Sequence, residues 1–466
     1  MRERLKACAL ITCLVLVGCS AREAPRIDDY MPRAIVPASD AGQPIADPVE
    51  RPVDLDACVR IALDNNPMRR AAAEGVKAAD NAVGEARAAY LPNIKGIAGY
   101  TRIEVRNINL FGIPAGGGGA RTTNIDPQDS FLLLGLGTWT IYDFGNRYAQ
   151  LKGAMARKAV AREDLEQTRQ DIALNVHQAY YALHVAIELE AAAQRTLDRA
   201  EDDLRIAGER KAVGDVAAID VLRSEVQVAE ARLDHVRARN QVRLARGNLN
   251  TAMGLPVELP AQVLPPEGEL LPPDAIDLDE SLRKAAYARP ELRASLNRVD
   301  AARRSVDAAR SAFWPKISAL GLYAQTDRKF FPQGRAWVVG GFAQVPIFDG
   351  LGNVKRLGRT KAELRQAEAN TQSMVLQVRS EVWTAYARLK DSFEAVASAS
   401  ALVQQAERTF VDARGRYQAR AGTITDMLDT QAAFARGEAS LAQARGDYRA
   451  AQAEFQRAVG TIIAER

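Results

Sequence analysis

Two copies of one pattern, each roughly 200 residues long, lie end to end in this chain, so it must fold as two similar halves of one architecture. Asn66-Pro67 recurs as Arg289-Pro290, and Tyr90-Leu91-Pro92 as Phe313-Trp314-Pro315, both displaced by 223 positions. Farther on, Asp143 matches Asp349, Asp220 matches Asp426, Leu222 matches Leu428 and Gly254 matches Gly460, all displaced by 206. The 17-residue difference falls between Pro92 and Asp143, where the first copy carries an extra glycine-rich loop around Gly116-Gly117-Gly118-Gly119. The unit is too long for a solenoid repeat.

Helix lengths constrain the shape. From Gly145 to Val213 the helical pattern is almost unbroken and free of proline, which predicts a helix of about 100 Å. The pattern starting at Pro67 (about 36 Å) and that from Asp215 to Met253 (about 58 Å) sum to nearly the same length. One long helix can therefore lie antiparallel to two shorter ones stacked end to end. The second copy repeats this with Pro290–Phe313, Leu351–Ala421 and Gly422–Gly460. Met427, Phe434, Leu441, Tyr448 and Phe455 lie seven apart, with Thr430, Gly437, Ala444, Ala451 and Ala458 between them. The first copy shows Val221, Val228, His235, Val242 and Leu249 in the same way. Large and small residues alternating at a 3.5-residue period make a knobs-into-holes seam. The seam fits the wall of a tube, and it fits coiled-coil dimerisation too. The composition is that of long helices or coiled coils, with aromatics only 6%.

Four segments break the helical habit: about 93–105, 130–142, 316–327 and 335–347. Their length of about 12 residues suits tilted membrane strands, although hairpins packed on helices would read alike. Trp337, Val339, Val345 and Ile347 alternate onto one face, whereas Leu132-Leu133-Leu134 breaks the alternation. No segment after the amino terminus offers 18 consecutive apolar residues, so a membrane crossing requires a closed sheet. Four strands cannot close a barrel, and insertion therefore demands several chains.

Arg2, Arg4 and Lys6 precede a short apolar run from Cys8 to Val17, and Leu16-Val17-Gly18-Cys19 resembles a bacterial lipobox. The run is too short to span a bilayer. Residues 1–18 read as a lipoprotein signal, with Cys19 lipidated and Ser20 directing the product to an outer membrane. Prolines from Pro25 to Pro52 make 19–52 an extended tether. A first repeat follows over 53–255, then a proline-rich linker at 256–276 and a second repeat at 277–463. With Cys8 and Cys13 removed and Cys19 lipidated, only Cys58 remains, as a small buried residue rather than a nucleophile.

The residues form no catalytic constellation. His177 and His184 share a helix face without a Cys or carboxylate cluster at metal-ligand spacing, and His235 occupies a packing position. The glycine run lacks the Lys-Ser/Thr of a phosphate loop. Lys+Arg 62 against Asp+Glu 58 gives no support to nucleic-acid binding. The expectation is a protein that is not an enzyme and holds no cofactor or metal.

Together these landmarks resemble the TolC-like outer-membrane efflux family over about residues 53 to 463. The carrying residues are Tyr142-Asp143-Phe144-Gly145 with Phe348-Asp349-Gly350, and Ala89-Tyr90-Leu91-Pro92 with Ala312-Phe313-Trp314-Pro315. The helix-hairpin turns Gly214–Leu222 and Gly422–Leu428 match as well. The resemblance implies a mainly α fold with a β-barrel part: a homotrimer whose 12-stranded outer-membrane barrel continues into a long periplasmic α-helical barrel. It also implies a periplasmic adaptor (membrane fusion) protein and an inner-membrane pump as partners. Asp426 and Asp429 match the family's acidic pair at the periplasmic mouth. In a trimer this pair would set six carboxylates around one axis, attracting cations and hindering anions; on one chain it merely complements a helix dipole. Tyr417 and Asp220 match two of the residues that hold the mouth closed in the family. The family's arginine position falls on Gly422, which leaves Arg420 as the substitute.

The expectation is thus a passive exit duct of a tripartite efflux system, lipid-anchored in a bacterial outer membrane and exporting drugs, metals or metabolites. An exit duct for type I protein secretion and a periplasmic coiled-coil scaffold lipoprotein are the alternatives.

Overall fold

The computed structural model describes residues 52–108, 123–214, 216–266, 272, 276–327 and 334–463, with backbone alone for 103–108 and 123–128. Cys19, the signal, the tether up to residue 51 and the glycine-rich loop lie outside the described residues. The first copy comprises α1 (Leu55–Asn65), α2 (Pro67–Ala88), β1 (Asn93–Ile108), β2 (Thr123–Tyr142), α3 (Asn146–Ala212) and α4 (Ala218–Ala252). The second comprises α5 (Leu278–Ala288), α6 (Pro290–Ser311), β3 (Lys316–Asp327), β4 (Gly334–Gln344), α7 (Gly352–Gln418) and α8 (Ile424–Val459). Both long helices have 67 residues and both proline-initiated helices 22.

Local chemistry explains the boundaries. Asp54 caps α1 by accepting from the Ala57 N–H, and Asn66 caps α2 with Pro67 in its first turn. The long helices open on a shared device. The Asp143 carboxylate accepts from Arg147 N–H, and Asp349 from Asn353 N–H. Phe144-Gly145 and Gly350-Leu351 take positive φ, which turns the chain sharply from strand to helix.

Each long helix packs against its own two shorter helices in succession, α2 then α4 along α3, and α6 then α8 along α7. The predicted seam of α8 is buried: Met427, Phe434, Tyr448 and Phe455 are at most 9% exposed. In the first copy Val228 and Leu249 are buried, while His235 is only partly covered. The two shorter helices join at a close approach. A Cβ on Gly254 would stand 3.0 Å from the Asn66 Cα, and one on Gly460 3.1 Å from the Ala288 backbone; both glycines have positive φ. Asn66 Nδ2 donates to the Ala252 carbonyl, and its counterpart Arg289 donates to the Arg457 and Ala458 carbonyls. These bonds satisfy the last carbonyls of α4 and α8.

The copies meet asymmetrically. α6 and α8 lie against α3 as well as against α7, so α3 is flanked on two sides. Arg457 of α8 pairs with Asp171 of α3 and Glu291 of α6, each at 2.6 Å, and Arg289 pairs with Glu291 and Glu381. Burial alone would raise the Glu291 carboxyl; Arg457 and Arg289 more than offset it and hold it below its usual range. α2, by contrast, buries only Val83.

Among the described residues the strands form one antiparallel meander in the order β1-β2-β3-β4, with both edges open. β1 and β2 run further toward the loop than the sequence pattern predicted, from Thr123 rather than from about 130 in β2. A register shift accommodates Pro127. β4 ends at Gln344 rather than 347, because Pro346 has no N–H for the ladder; Val345 and Ile347 therefore lie outside it. Register places Tyr100, Phe131, Leu133, Trp139, Tyr323 and Trp337 on one face. Leu132, Leu134, Leu136, Leu320, Leu322 and Val338 occupy the other. Both faces are apolar, which is why the leucine run obeys no alternation. Among the described residues no helix is long and apolar enough to cross a membrane.

Cys58 is fully buried beside Tyr180, Leu183 and Leu249, and burial pushes its thiol up to about 12. It is packing, as its sequence setting predicted. The start of the linker straps over this cluster. Val53 bridges to Gln262 and Leu264, and the Leu264 carbonyl accepts from Tyr180 and His184, both at 2.6 Å.

Candidate functional site at the free end of the helices

α3 begins where β2 ends and runs 67 residues, so its far end lies about 100 Å from the sheet. There the residues flanking the α3–α4 turn, Val213-Gly214 and Val216-Ala217, and the α7–α8 turn at Ala419–Thr423 come together. Arg223 of α4 donates to the Thr425 hydroxyl of α8 at 3.0 Å, which joins the two copies at the tip.

Asp426 and Asp429 lie three residues apart at the start of α8, both exposed. Thr423 caps this helix: its hydroxyl accepts from the Asp426 N–H and donates to the Asp426 carboxylate at 2.7 Å. The cap fixes the side-chain direction of Asp426, and Asp429 stands nearly one turn further along.

The three residues matched to a latch, Asp220, Tyr417 and Arg420, all arrive at this tip. Tyr417 is 3% exposed, and its hydroxyl is buried. Burial raises the Tyr417 hydroxyl above its usual range; Arg210 opposes this, and the charge of Asp220 adds to it. Arg420 sits at positive φ in the turn, its N–H donating to the Tyr417 carbonyl. Beside Tyr417 stands Arg210 of α3. Its guanidinium lies 4.7 Å over the Tyr417 ring, and it donates to the Tyr417 carbonyl at 2.8 Å.

A second clasp was not foreseen from the sequence. Arg414 of α7 reaches Asp202 at 2.9 Å and Asp203 at 3.3 Å, both on α3. Asp203 is 2% exposed, and burial pushes its carboxyl up while Arg414 opposes the shift. Asp202 is held low, first by its bond from Arg205 and then by Arg414. The available signal was positional: Ala200, Asp203 and Ala207 follow helical spacing along one buried stripe, so a carboxylate occupies a place where the pattern calls for an apolar residue. Nearer the middle of the shaft, Glu438 of α8 accepts from Arg195 and Arg199 of α3.

The remaining titratable candidates are packed. His177 lies edge-on to Tyr181, and His184 is held by the strap; burial lowers both. His235 faces Glu190. Among the described residues no group of His, Cys, Asp and Glu could hold a metal ion.

Comparisons with known proteins agree with this architecture. The family model described as outer membrane efflux protein matches residues 58–255 and 282–461, one match per copy. Protein CyaE of Bordetella pertussis is 27% identical over 403 residues, covering 83% of this chain and 80% of that protein. The pyoverdine export outer membrane protein OpmQ of Pseudomonas aeruginosa is 25% identical, covering 81% and 79%. The crystal structure of the CmeC outer membrane channel of Campylobacter jejuni superposes with a TM-score of 0.75 at 20% identity, over 88% of this chain and 87% of that one.

Proposed function

This chain belongs to the outer membrane efflux protein family, and we propose that three copies of it assemble into the exit duct of a tripartite system that exports small molecules such as drugs, metals or metabolites. The observation that carries the reading is the pair of open flanks. A four-stranded sheet with two bare edges and apolar residues on both faces cannot stand alone in water or lipid. The helices repeat the message: within the chain α2, α3, α6 and α7 are neighbours in that order, and both the outer side of α2 and that of α7 are bare. Joining α7 of one copy to α2 and α4 of the next closes sheet and helices at once. Three copies supply 12 strands, within the range of closed membrane barrels.

In this duct the tip at Asp426 and Asp429 forms the periplasmic mouth. Its acidic residues surround the axis and favour cations. The clasps Arg210–Tyr417 and Arg414–Asp202/Asp203 tie α7 to α3 and hold the mouth shut. Opening them is the work asked of an adaptor and a pump, and the pump supplies the energy. Cys19 carries lipid in the outer membrane and tethers the chain there.

Tryptophan gives the test, since the chain has four: Trp139, Trp314, Trp337 and Trp383. Trp139 and Trp337 lie on the sheet and Trp314 at its helical end, whereas Trp383 sits far along α7. Single-tryptophan variants in vesicles of brominated lipid should show quenching of Trp139, Trp337 and Trp314 but none of Trp383. Discrete conductance steps in a planar bilayer should accompany it. Unquenched sheet tryptophans in assembled protein would return the chain to a periplasmic scaffold. Loss of radiolabelled palmitate in Cys19→Ser checks the anchor.

A further inference from the structure

The two faces of the sheet differ in kind. On one, each strand carries an aromatic toward its loop: Tyr100, Phe131, Tyr323 and Trp337. From there to the helical end this face holds only glycine, alanine, aliphatic residues and Trp139. On the loop side of the aromatics come Arg102, Asp129 and Arg335. An apolar band closed by aromatic and then charged residues marks a surface that meets lipid. The opposite face therefore lines the lumen. It starts and ends on hydroxyls: Ser130 and Thr326, 3.4 Å apart, near the loops, and Thr138 and Ser318 near the helices. Curvature agrees with this assignment. Leu134, Leu136, Leu320 and Leu322 are half-buried on the lumen face, whereas Tyr100, Leu133, Tyr323 and Trp337 on the other are exposed.

Between its hydroxyls the lumen face is apolar, although the interior of a water-filled barrel is ordinarily polar. Lys95, Leu136, Leu322 and Val338 form one rung across all four strands, and Ile97, Leu134, Ala324 and Ala336 form the next on this face. Lys95 and Lys316 are its charges, and among the described side chains it bears no acidic residue. Three copies set a leucine band around the pore, with six lysines within it and at its helical end. Such a wall gains by covering itself with the apolar part of a solute, and its lysines favour an anionic head. The tip asks for the opposite charge, because Asp426 and Asp429 hinder a plain anion. A cargo suited to both ends carries both charges.

We propose that the barrel lumen is a transit site for amphiphilic zwitterions. The apolar body lies on the leucine band, the carboxylate meets Lys95, and the amine eases passage through the tip. The proposal rests on the duct reading above and names its cargo.

The test is single-channel current through the full-length protein in planar bilayers, with 2-aminohexanoate, 2-aminooctanoate and 2-aminodecanoate as blockers. Added on the loop side, they meet the barrel before the tip. The duration of each block should rise about 2-fold per added methylene, since full burial gives about 4-fold and a wall covers one side of the chain. Leu134→Ser and Leu320→Ser should each flatten that slope. Lys95→Gln should shorten the block at every chain length and keep the slope. Octanoate should block at least as well as 2-aminooctanoate from the loop side and lose its block from the tip side. Block independent of chain length, or an equal slope in wild type and both serine variants, would overturn the site. Equal block by octanoate from the two sides would overturn the zwitterion. Discrete conductance steps show that each variant has assembled, and a wild type without them would sink the duct reading itself.

Discussion

Arg414→Ala removes the guanidinium that faces the buried Asp203 carboxylate and should loosen the closed tip. Breaking a fully buried ion pair costs about 3–5 kcal/mol, and an exposed one contributes about 0–1 kcal/mol. Asp203 is 2% exposed and the Arg414 side chain 28%, so the loss falls between these limits, about 2 kcal/mol. That corresponds to roughly a 30-fold rise in the open-to-closed ratio. The sign for Asp203 itself is opposite. Its carboxyl is raised in the closed tip, because burial outweighs Arg414, so the closed state binds the proton more tightly than an opened, hydrated one. Charged Asp203 is therefore a burden above its raised pKa, and that burden disappears as pH falls. Asp203→Asn should leave the mouth as closed as wild type or more so, and Arg414→Ala added to Asp203→Asn should open it far less than Arg414→Ala alone. Acidification should reclose the single Arg414→Ala variant. Single-channel open probability in planar bilayers, with trimer content measured in parallel, reads all four proteins. Equal open probability in wild type and Arg414→Ala, or equal opening of Arg414→Ala with and without Asp203→Asn, would refute the reasoning.

Replacing Asp426 and Asp429 together by Ala should leave assembly intact and lower the cation-to-anion permeability ratio, read from reversal potentials in asymmetric salt. Gly254→Ala forces a Cβ against the Asn65–Asn66 backbone at positive φ, which should cost about 2–3 kcal/mol and lower the melting temperature. The open helical site of Gly75→Ala should gain about 0.5–1 kcal/mol in the same assay. His177 and His184 are lowered by burial from 6.5, so the stability they contribute is present above 6.5 and lost as pH falls below it. Melting temperature should decline on moving into that window, and His184→Gln, which keeps a donor for the Leu264 carbonyl, should decline less.

Much of the architecture was written in local pattern. Pro67 and Pro290 open their helices at the first turn, where a ring-fixed φ and a missing N–H are favoured. Asp143 and Asp349 cap the long helices through bonds only four residues away. The stripe of Met427, Phe434, Tyr448 and Phe455 announces a buried side by its spacing alone. Equal lengths of the two copies then dictate how the helices stack. What spacing cannot carry is the identity of a distant partner. A helical pattern shows that Asp203 lies on a buried stripe, but not that Arg414 arrives to neutralise it, nor that Arg210 lies over the Tyr417 ring. Those pairings depend on how α7 and α8 sit across α3, and that is set by close approaches such as Gly446 against Val185. Likewise, the leucine run in β2 reads as broken alternation until the sheet shows apolar residues on both faces. The sequence by itself determined the elements, their lengths and their duplication, because each rests on interactions within a few turns or rungs. The tertiary structure alone decided which charges pair at the tip and which flanks are left bare, because both arise from contacts between helices far apart in the chain.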